Sequence, residues 1–322
     1  MLYQRSGSSF SVRRYFVGTL SSSVLPVRLV PWRIRAAHRS CRRKRRTWLM
    51  ITIQMTTLLL VHAHPDDECI LTGGVMLRAH LDGHRVVLIT ATRGEEGEMH
   101  NLDDVALRPQ LAEIRVNELR ECCAILGVDR QEFLGYRDSG MTGAASNDDP
   151  RSFHTAPLGD AAERLAVVLR EERPAVVVTY AADGTYGHPD HLKAHQTTLA
   201  ALDILAAEDW LPSEVYLHAV PRSFVVAVIE VARVAGIEMP PELAEMQGVP
   251  DDEITTTVDS TELLDRKLAA CVAHVSQLHP GLPLATMAAQ LFEVAFGIER
   301  FVLAQGTLGG QRPESSLFAG LN

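Results

Sequence analysis

At residues 57–61 the run TLLLV passes without a spacer into HAHPDDE at 62–68. An unbroken apolar stretch of that length suits a strand buried on both faces, and such strands belong in parallel sheets covered by helices. The same junction recurs three times. RVVLITAT at 85–92 runs directly into RGEEGE at 93–98, a weaker strand at Glu132 to Tyr136 meets RDSG at 137–140, and AVVVTY at 175–180 is one residue from ADGTYGHPDH at 182–191. Ligands of open parallel sheets bind outside the carboxyl ends of the strands, so these four loops are expected to converge on one site.

Helical segments separate the strands. Gly73 to Leu81 reads as a short helix ending at Gly83. Pro109 opens a longer one with Leu111, Ile114, Leu119, Cys122 and Leu126 on one face, and Gly127 closes it. Leu158 to Arg173 is stopped by Pro174, His191 to Ala207 follows, and Glu214 to Val220 is a fifth strand. The alternation predicts an α/β fold, a mostly parallel sheet with helices on both faces. Beyond about Ser223 we expect a helix to Ala235, a strand at Ile254 to Val258, and helices at Thr261 to Gln277 and Ala285 to Phe296. Residues 55–222 are thus read as the core and 223–322 as a C-terminal α/β cap of the same domain.

Charge divides the chain sharply. Residues 1–54 hold twelve of the 31 basic residues and none of the 40 acidic ones, which leaves the remainder with a net charge of −21. A body that acidic repels polyphosphates, so nucleic acid is excluded as its partner and a small molecule is expected. The first 54 residues show no helical or alternating period. An upstream start joined to the gene, an organelle transit peptide, and a tail for nucleic acid or a membrane surface all fit their composition, and the first is favoured because Met55 directly precedes the first strand. Five cysteines without a CxxC pair cannot build a disulfide scaffold and suit a reducing, cytoplasmic setting. No stretch approaches eighteen uncharged apolar residues, which excludes a spanning helix. Nothing in the sequence sets an oligomeric state.

The polar loops carry the chemistry. His64 and Asp67 follow a rigid strand, and a sharp turn at Pro65 could aim both at one cation; His188 and His191 repeat the device in HPDH. Imidazole with carboxylate suits Zn(II), and two His with one carboxylate leave positions open for water and substrate. Non-haem Fe(II) shares that donor set. Asp66 is then a spare carboxylate beside a metal-bound water, the natural general base. The alternative for HPDD is a helix start with a capping Asp. A dinucleotide site is disfavoured, because TGG at 72–74 does not supply GxGxxG. The scattered histidines, His195 among them, read as surface or satisfied core residues.

HAHPDDE at 62–68, TRGEEGE at 92–98, YRDSGM at 136–141 and YGHPDH at 186–191 together resemble the PIG-L/LmbE family of metal-dependent N-acetylglucosamine deacetylases. Within it the similarity is to the mycothiol-pathway branch, which comprises an N-acetylglucosaminyl-inositol deacetylase and a mycothiol S-conjugate amidase. KLAACVAHVSQ at 267–277 resembles a tail segment of the family. The resemblance implies a Rossmann-like α/β fold and zinc held by His64, Asp67 and His191, with Asp66 as general base. It further implies that His188 protonates the leaving amine or stabilises the oxyanion, that Asp190 orients His188, and that Tyr186 is a mobile oxyanion partner. Glu98, Arg115 and Asp138 match family positions that contact sugar or inositol hydroxyls. The expected activity is removal of an N-acetyl group from an amino sugar, with amidase action on a thiol conjugate and non-catalytic metal or sugar binding as the rivals.

Overall fold

Leu58 and Leu60 face one apolar cluster and Leu59 and Val61 another, so the first strand, β1 (Thr57–His62), is covered on both sides. The structure is a computed structural model and describes residues 55–100, 102, 104–236, 239, 241–278 and 296–321. The expectations for residues 1–54 lie outside that range, as do those for 285–295.

β1 pairs in parallel with β2 (Arg85–Thr90) on one side and β4 (Val176–Tyr180) on the other. β3 (Arg130–Phe133) joins β2 and β5 (Glu214–His218) joins β4, again in parallel. The Gly73–Leu81, Leu111–Leu126 and Leu264–Ala273 helices contribute to one cluster, while Leu158–Glu172 and Pro189–Ala206 contribute to the other. The fold is therefore α/β with both sheet faces covered, as expected. No helix among the described residues is long and apolar enough to cross a membrane.

β6 (Thr256–Asp259) starts two residues later than expected and the α-helix expected over Thr261–Gln277 spans only Leu264–Ala273, but two strands depart further from the sequence reading. β3 lies two residues earlier than expected, and all four of its positions are only half-buried, so no apolar run marks it. The seventh strand, β7 (Ile298–Gln305), was not expected at all. It runs antiparallel between β5 and β6 (Thr256–Asp259), giving the order β3-β2-β1-β4-β5-β7-β6. Its pattern is hidden by a buried charge. Glu299 accepts from Gly74 N at 2.6 Å and Val75 N at 2.8 Å, and pairs with Lys267 Nζ at 2.5 Å, so a carboxylate in the sheet caps the Gly73–Leu81 helix.

The order decides where a ligand goes. β2 and β3 extend from one side of β1, and β4 and β5 from the other. The connections diverge above β1 and β4, which opens a crevice at their carboxyl ends. HAHPDDE leaves β1 at that point, and the segment leading to HPDH leaves β4 beside it.

Candidate metal-dependent active site

Tyr180, the last residue of β4, ties the two strand ends together. Its hydroxyl accepts from Ala63 N at 2.8 Å and donates to Asp67 Oδ2 at 2.7 Å. Asp67 also accepts from His64 N at 2.8 Å, so the turn after β1 closes on its own carboxylate. The other oxygen, Asp67 Oδ1, lies 3.3 Å from His191 Nε2.

His191 is presented by the first turn of the Pro189–Ala206 helix, where Pro189 needs no hydrogen-bond partner for its nitrogen. Its Nδ1 lies 3.1 Å from Gly184 O, an acceptor, so Nδ1 carries the proton and Nε2 is bare. That Nε2 is buried and makes no hydrogen bond. The ring of Tyr180 stacks on it, with centroids 4.2 Å apart.

His64 completes the constellation. Its Nδ1 is 3.4 Å from Asp67 Oδ2, and its Nε2 is 3.3 Å from Asp190 Oδ2 and 3.6 Å from Asp138 Oδ1. One nitrogen each from His64, His188 and His191 fall within 4.8 Å of one another. Burial opposes a charge on His64, yet Asp138, Asp190 and Asp67 outweigh it and raise its pKa well above the usual value. Burial likewise opposes ionisation of Asp67, and the neighbouring imidazoles overcome it and hold the carboxyl well below the usual range. The pocket thus favours positive charge. Together with the bare His191 Nε2, this donor set fits a borderline-soft divalent cation.

His188 caps the same helix, and its Nδ1 accepts from Asp190 N at 3.1 Å. The neutral ring therefore carries its proton on Nε2. Burial, then the charge of His64, pushes its pKa down. Tyr186 is close by, its ring centroid 4.9 Å from that of His191. Asp66 stands at the lip with φ 117°, a left-handed conformation that costs a non-glycine residue energy. Burial pushes its carboxyl up to about 6, against the opposing charge of Arg115.

Three of the expected site residues have these partners in the structure. Arg115 is buried beneath the loops rather than turned toward a ligand. It donates to Gly94 O at 2.9 Å and to Pro65 O, and pairs with Asp66 Oδ2 at 3.1 Å. The loops pack so tightly that a Cβ on Gly94, already at φ +68°, would sit 2.1 Å from Arg115 Nη1. The carboxylate of Asp190 does not orient His188: it accepts from Ser139 N at 2.9 Å and from Ser139 Oγ, and faces His64. Glu98 stands apart from the cluster, its side chain 83% exposed beside His100. Asp138 belongs with the metal donors spatially, since it lies beside His64 and also accepts from Gly140 N at 2.8 Å. His195 is satisfied by Tyr180 O at 2.8 Å, as expected.

Comparison with known proteins gives the family. Residues 59–202 match the family described as PIG-L: GlcNAc-PI de-N-acetylase. The 1D-myo-inositol 2-acetamido-2-deoxy-alpha-D-glucopyranoside deacetylase of Acidothermus cellulolyticus is 41% identical over 287 residues, covering 83% of this chain and 95% of that protein. The chain belongs to the PIG-L family. The deacetylase of the same description from Thermomonospora curvata is also 41% identical, covering 82% of this PIG-L chain and 96% of its own. Among solved structures, N,N'-diacetylchitobiose deacetylase from Pyrococcus horikoshii superposes with a TM-score of 0.54 at 20% identity, covering 78% of this chain and 84% of that one. The 4-carboxy-2-hydroxymuconate hydratase GalB from Pseudomonas putida reaches 0.51 at 20% identity, covering 80% and 99%. At such identity the shared feature is the PIG-L fold, and the reaction has to be argued from the site.

Four residues that pack around these donors are not singled out by the sequence reading: Tyr180, Ser139, Glu68 and His274. Tyr180 reads as the end of a buried strand, and Ser139 as part of a turn. Glu68 and His274 meet at 2.8 Å across 206 residues of chain. KLAACVAHVSQ was the one sequence signal that pointed toward His274.

Proposed function

We propose that this PIG-L protein hydrolyses the acetamide of an N-acetylglucosaminyl-inositol-type amino sugar to acetate and a free amine. The observation that carries the reading is the bare, buried His191 Nε2 facing Asp67, with a spare carboxylate and a spare imidazole beside the donors. His64, Asp67 and His191 are assigned as the metal ligands and zinc as the metal, Fe(II) being the ion that shares the donor set. When bound, the ion would supply a Lewis acid for the amide carbonyl and lower the pKa of a water molecule.

The protein's own groups account for the proton movements. Asp66 takes the proton of the attacking water, a role suited to a carboxyl raised toward neutrality. The Nε2–H of His188 donates to the oxygen on which negative charge develops, aided by the Tyr186 hydroxyl. The leaving nitrogen needs a proton, since an amide anion is a very poor leaving group, and the protonated Asp66 is the group that holds one. Arg115 keeps Asp66 in place.

Substrate class rests on the curated relatives, whose names specify an inositol-linked acetamido sugar. The continuation of the sheet through β7 and β6 supports reading residues 55–322 as one catalytic domain, with 223–322 as its cap. Four buried free cysteines, Cys69, Cys122, Cys123 and Cys271, support a cytoplasmic location. The test is turnover of N-acetylglucosaminyl-inositol, free N-acetylglucosamine, acetylated chitooligosaccharides and a bimane S-conjugate of mycothiol, each with chelator and after metal restoration. Chelator-sensitive acetate release that is fastest on the first substrate is expected. Preference for the S-conjugate would replace the deacetylase assignment with the amidase one.

A further inference from the structure

Behind the metal donors lies a buried group made of Glu68, Cys69, Cys122 and His274, whose ligand-type atoms fall within 4.8 Å of one another. The proposed reaction uses none of them. Glu68 is fully buried, and both of its carboxylate oxygens are engaged. Oε1 lies 2.8 Å from His274 Nε2 and accepts from Cys122 Sγ at 3.0 Å, while Oε2 accepts from Asp66 N at 2.9 Å.

The last contact matters because the backbone of Asp66 is strained. A non-glycine residue at φ 117° persists only when its surroundings hold it there. Arg115 holds its side chain, and Glu68 holds its main-chain N–H.

His274 is itself anchored. It begins a short segment in which Ser276 donates from N and Oγ to the two oxygens of Glu118, each at 2.7 Å. The segment also reaches the RGEEGEMH loop: His100 N donates to Ser276 O at 3.1 Å, and Gln277 Nε2 donates to Glu98 O at 3.1 Å. Three residues of one short C-terminal segment, His274, Ser276 and Gln277, therefore hold two of the loops from behind.

We infer that His274–Gln277 is a brace that positions the general base, with His274 acting through Glu68 on the backbone of Asp66. This rests on the assignment of Asp66 as base. Releasing the brace lets Asp66 relax toward an ordinary conformation and carries its carboxylate away from the water. A displacement of about 1 Å at such a group lowers the rate by about 100-fold. Metal and substrate affinity, which depend on other groups, stay as they were.

The test compares the full-length, metal-loaded chain with His274→Ala and His274→Gln, whose amide can still donate to Glu68. Three quantities are read: kinetics on N-acetylglucosaminyl-inositol, metal per chain, and amide hydrogen exchange of the peptide spanning residues 62–71. For His274→Ala we expect kcat to fall about 10- to 100-fold, the usual effect of losing an outer-shell partner. KM and metal content should be unchanged, and exchange in that peptide should be faster. His274→Gln should recover most of both losses. If His274→Ala does not fold, Cys122→Ser and Cys122→Ala form the parallel pair, the hydroxyl keeping the bond to Glu68 and the methyl losing it. Unchanged exchange and kcat, a rate loss that follows metal loss, or no recovery in the conservative variant would overturn the brace. So would a second metal equivalent in the wild-type chain that His274→Ala removes, since the cluster would then be a metal centre. A wild-type chain inactive on every substrate, with the exchange differences intact, would instead sink the deacetylase reading while the brace on Asp66 stood.

Discussion

Arg115 Nη2 lies 3.1 Å from Asp66 Oδ2, inside the protein, with the same guanidinium bonded to main-chain oxygens on two active-site loops. On the proposed reading, a side chain in that position is expected to set the orientation of Asp66 and not to read a hydroxyl of the second ring. Arg115→Lys keeps the charge but loses the planar fork. It should lower kcat by about 10- to 100-fold, and by the same factor on N-acetylglucosaminyl-inositol and on free N-acetylglucosamine. A loss confined to the inositol substrate would restore the hydroxyl-reading role.

The donors and the base should separate cleanly by metal analysis. His64→Ala and His191→Ala should purify with far less than one metal per chain. Asp66→Asn should keep its metal and lose about 10²–10⁴ in rate. Loss of metal from Asp66→Asn together with retention by Asp67→Asn would reverse the two carboxylates.

Tyr180→Phe removes the hydroxyl that donates to Asp67 and accepts from Ala63 N, but leaves the ring stacked on His191. An outer-shell bond of this kind affects metal affinity by about 10- to 100-fold. Chelator competition should therefore show weaker retention with little change in fold. Wild-type retention would mean that Asp67 is oriented by other contacts.

Far from the site, Glu172 accepts from Arg85 Nε at 2.7 Å and Nη2 at 3.0 Å, and from Arg130 Nη1 at 2.8 Å. The Arg85 bonds, opposed by partial burial and assisted by Arg130, pull its carboxyl down to about 2 from the ordinary 4.5. A depressed carboxylate contributes stability that is complete above the unfolded pKa and is lost as pH falls through the folded one. In urea denaturation, Glu172→Gln should be less stable than wild type at pH 7, and the gap should narrow by pH 3. A gap that is constant or wider at pH 3 would contradict the linkage.

The sequence by itself determined the class of fold and the end of the sheet at which chemistry gathers. Those features are local: apolar runs such as TLLLV and AVVVTY state that both faces are buried, and the polar segments that follow them mark the carboxyl ends. The convergence of HPDD and HPDH was legible for the same reason, since adjacent parallel strands carry their loops to a common edge. What only the tertiary structure decided is which partner each polar side chain takes. Arg115 on a helix reads equally well as a ligand-facing cation, and Asp190 as the neighbour of His188, until packing puts one under Asp66 and turns the other to Ser139 and His64. β7 escaped notice because its buried Glu299 finds Lys267 and a helix start that are distant in the chain. Glu68 and His274 are separated by 206 residues. A hydrogen bond across that separation leaves no periodicity in the sequence, because a buried polar group is accounted for by the partner that folding brings to it and not by its neighbours along the chain.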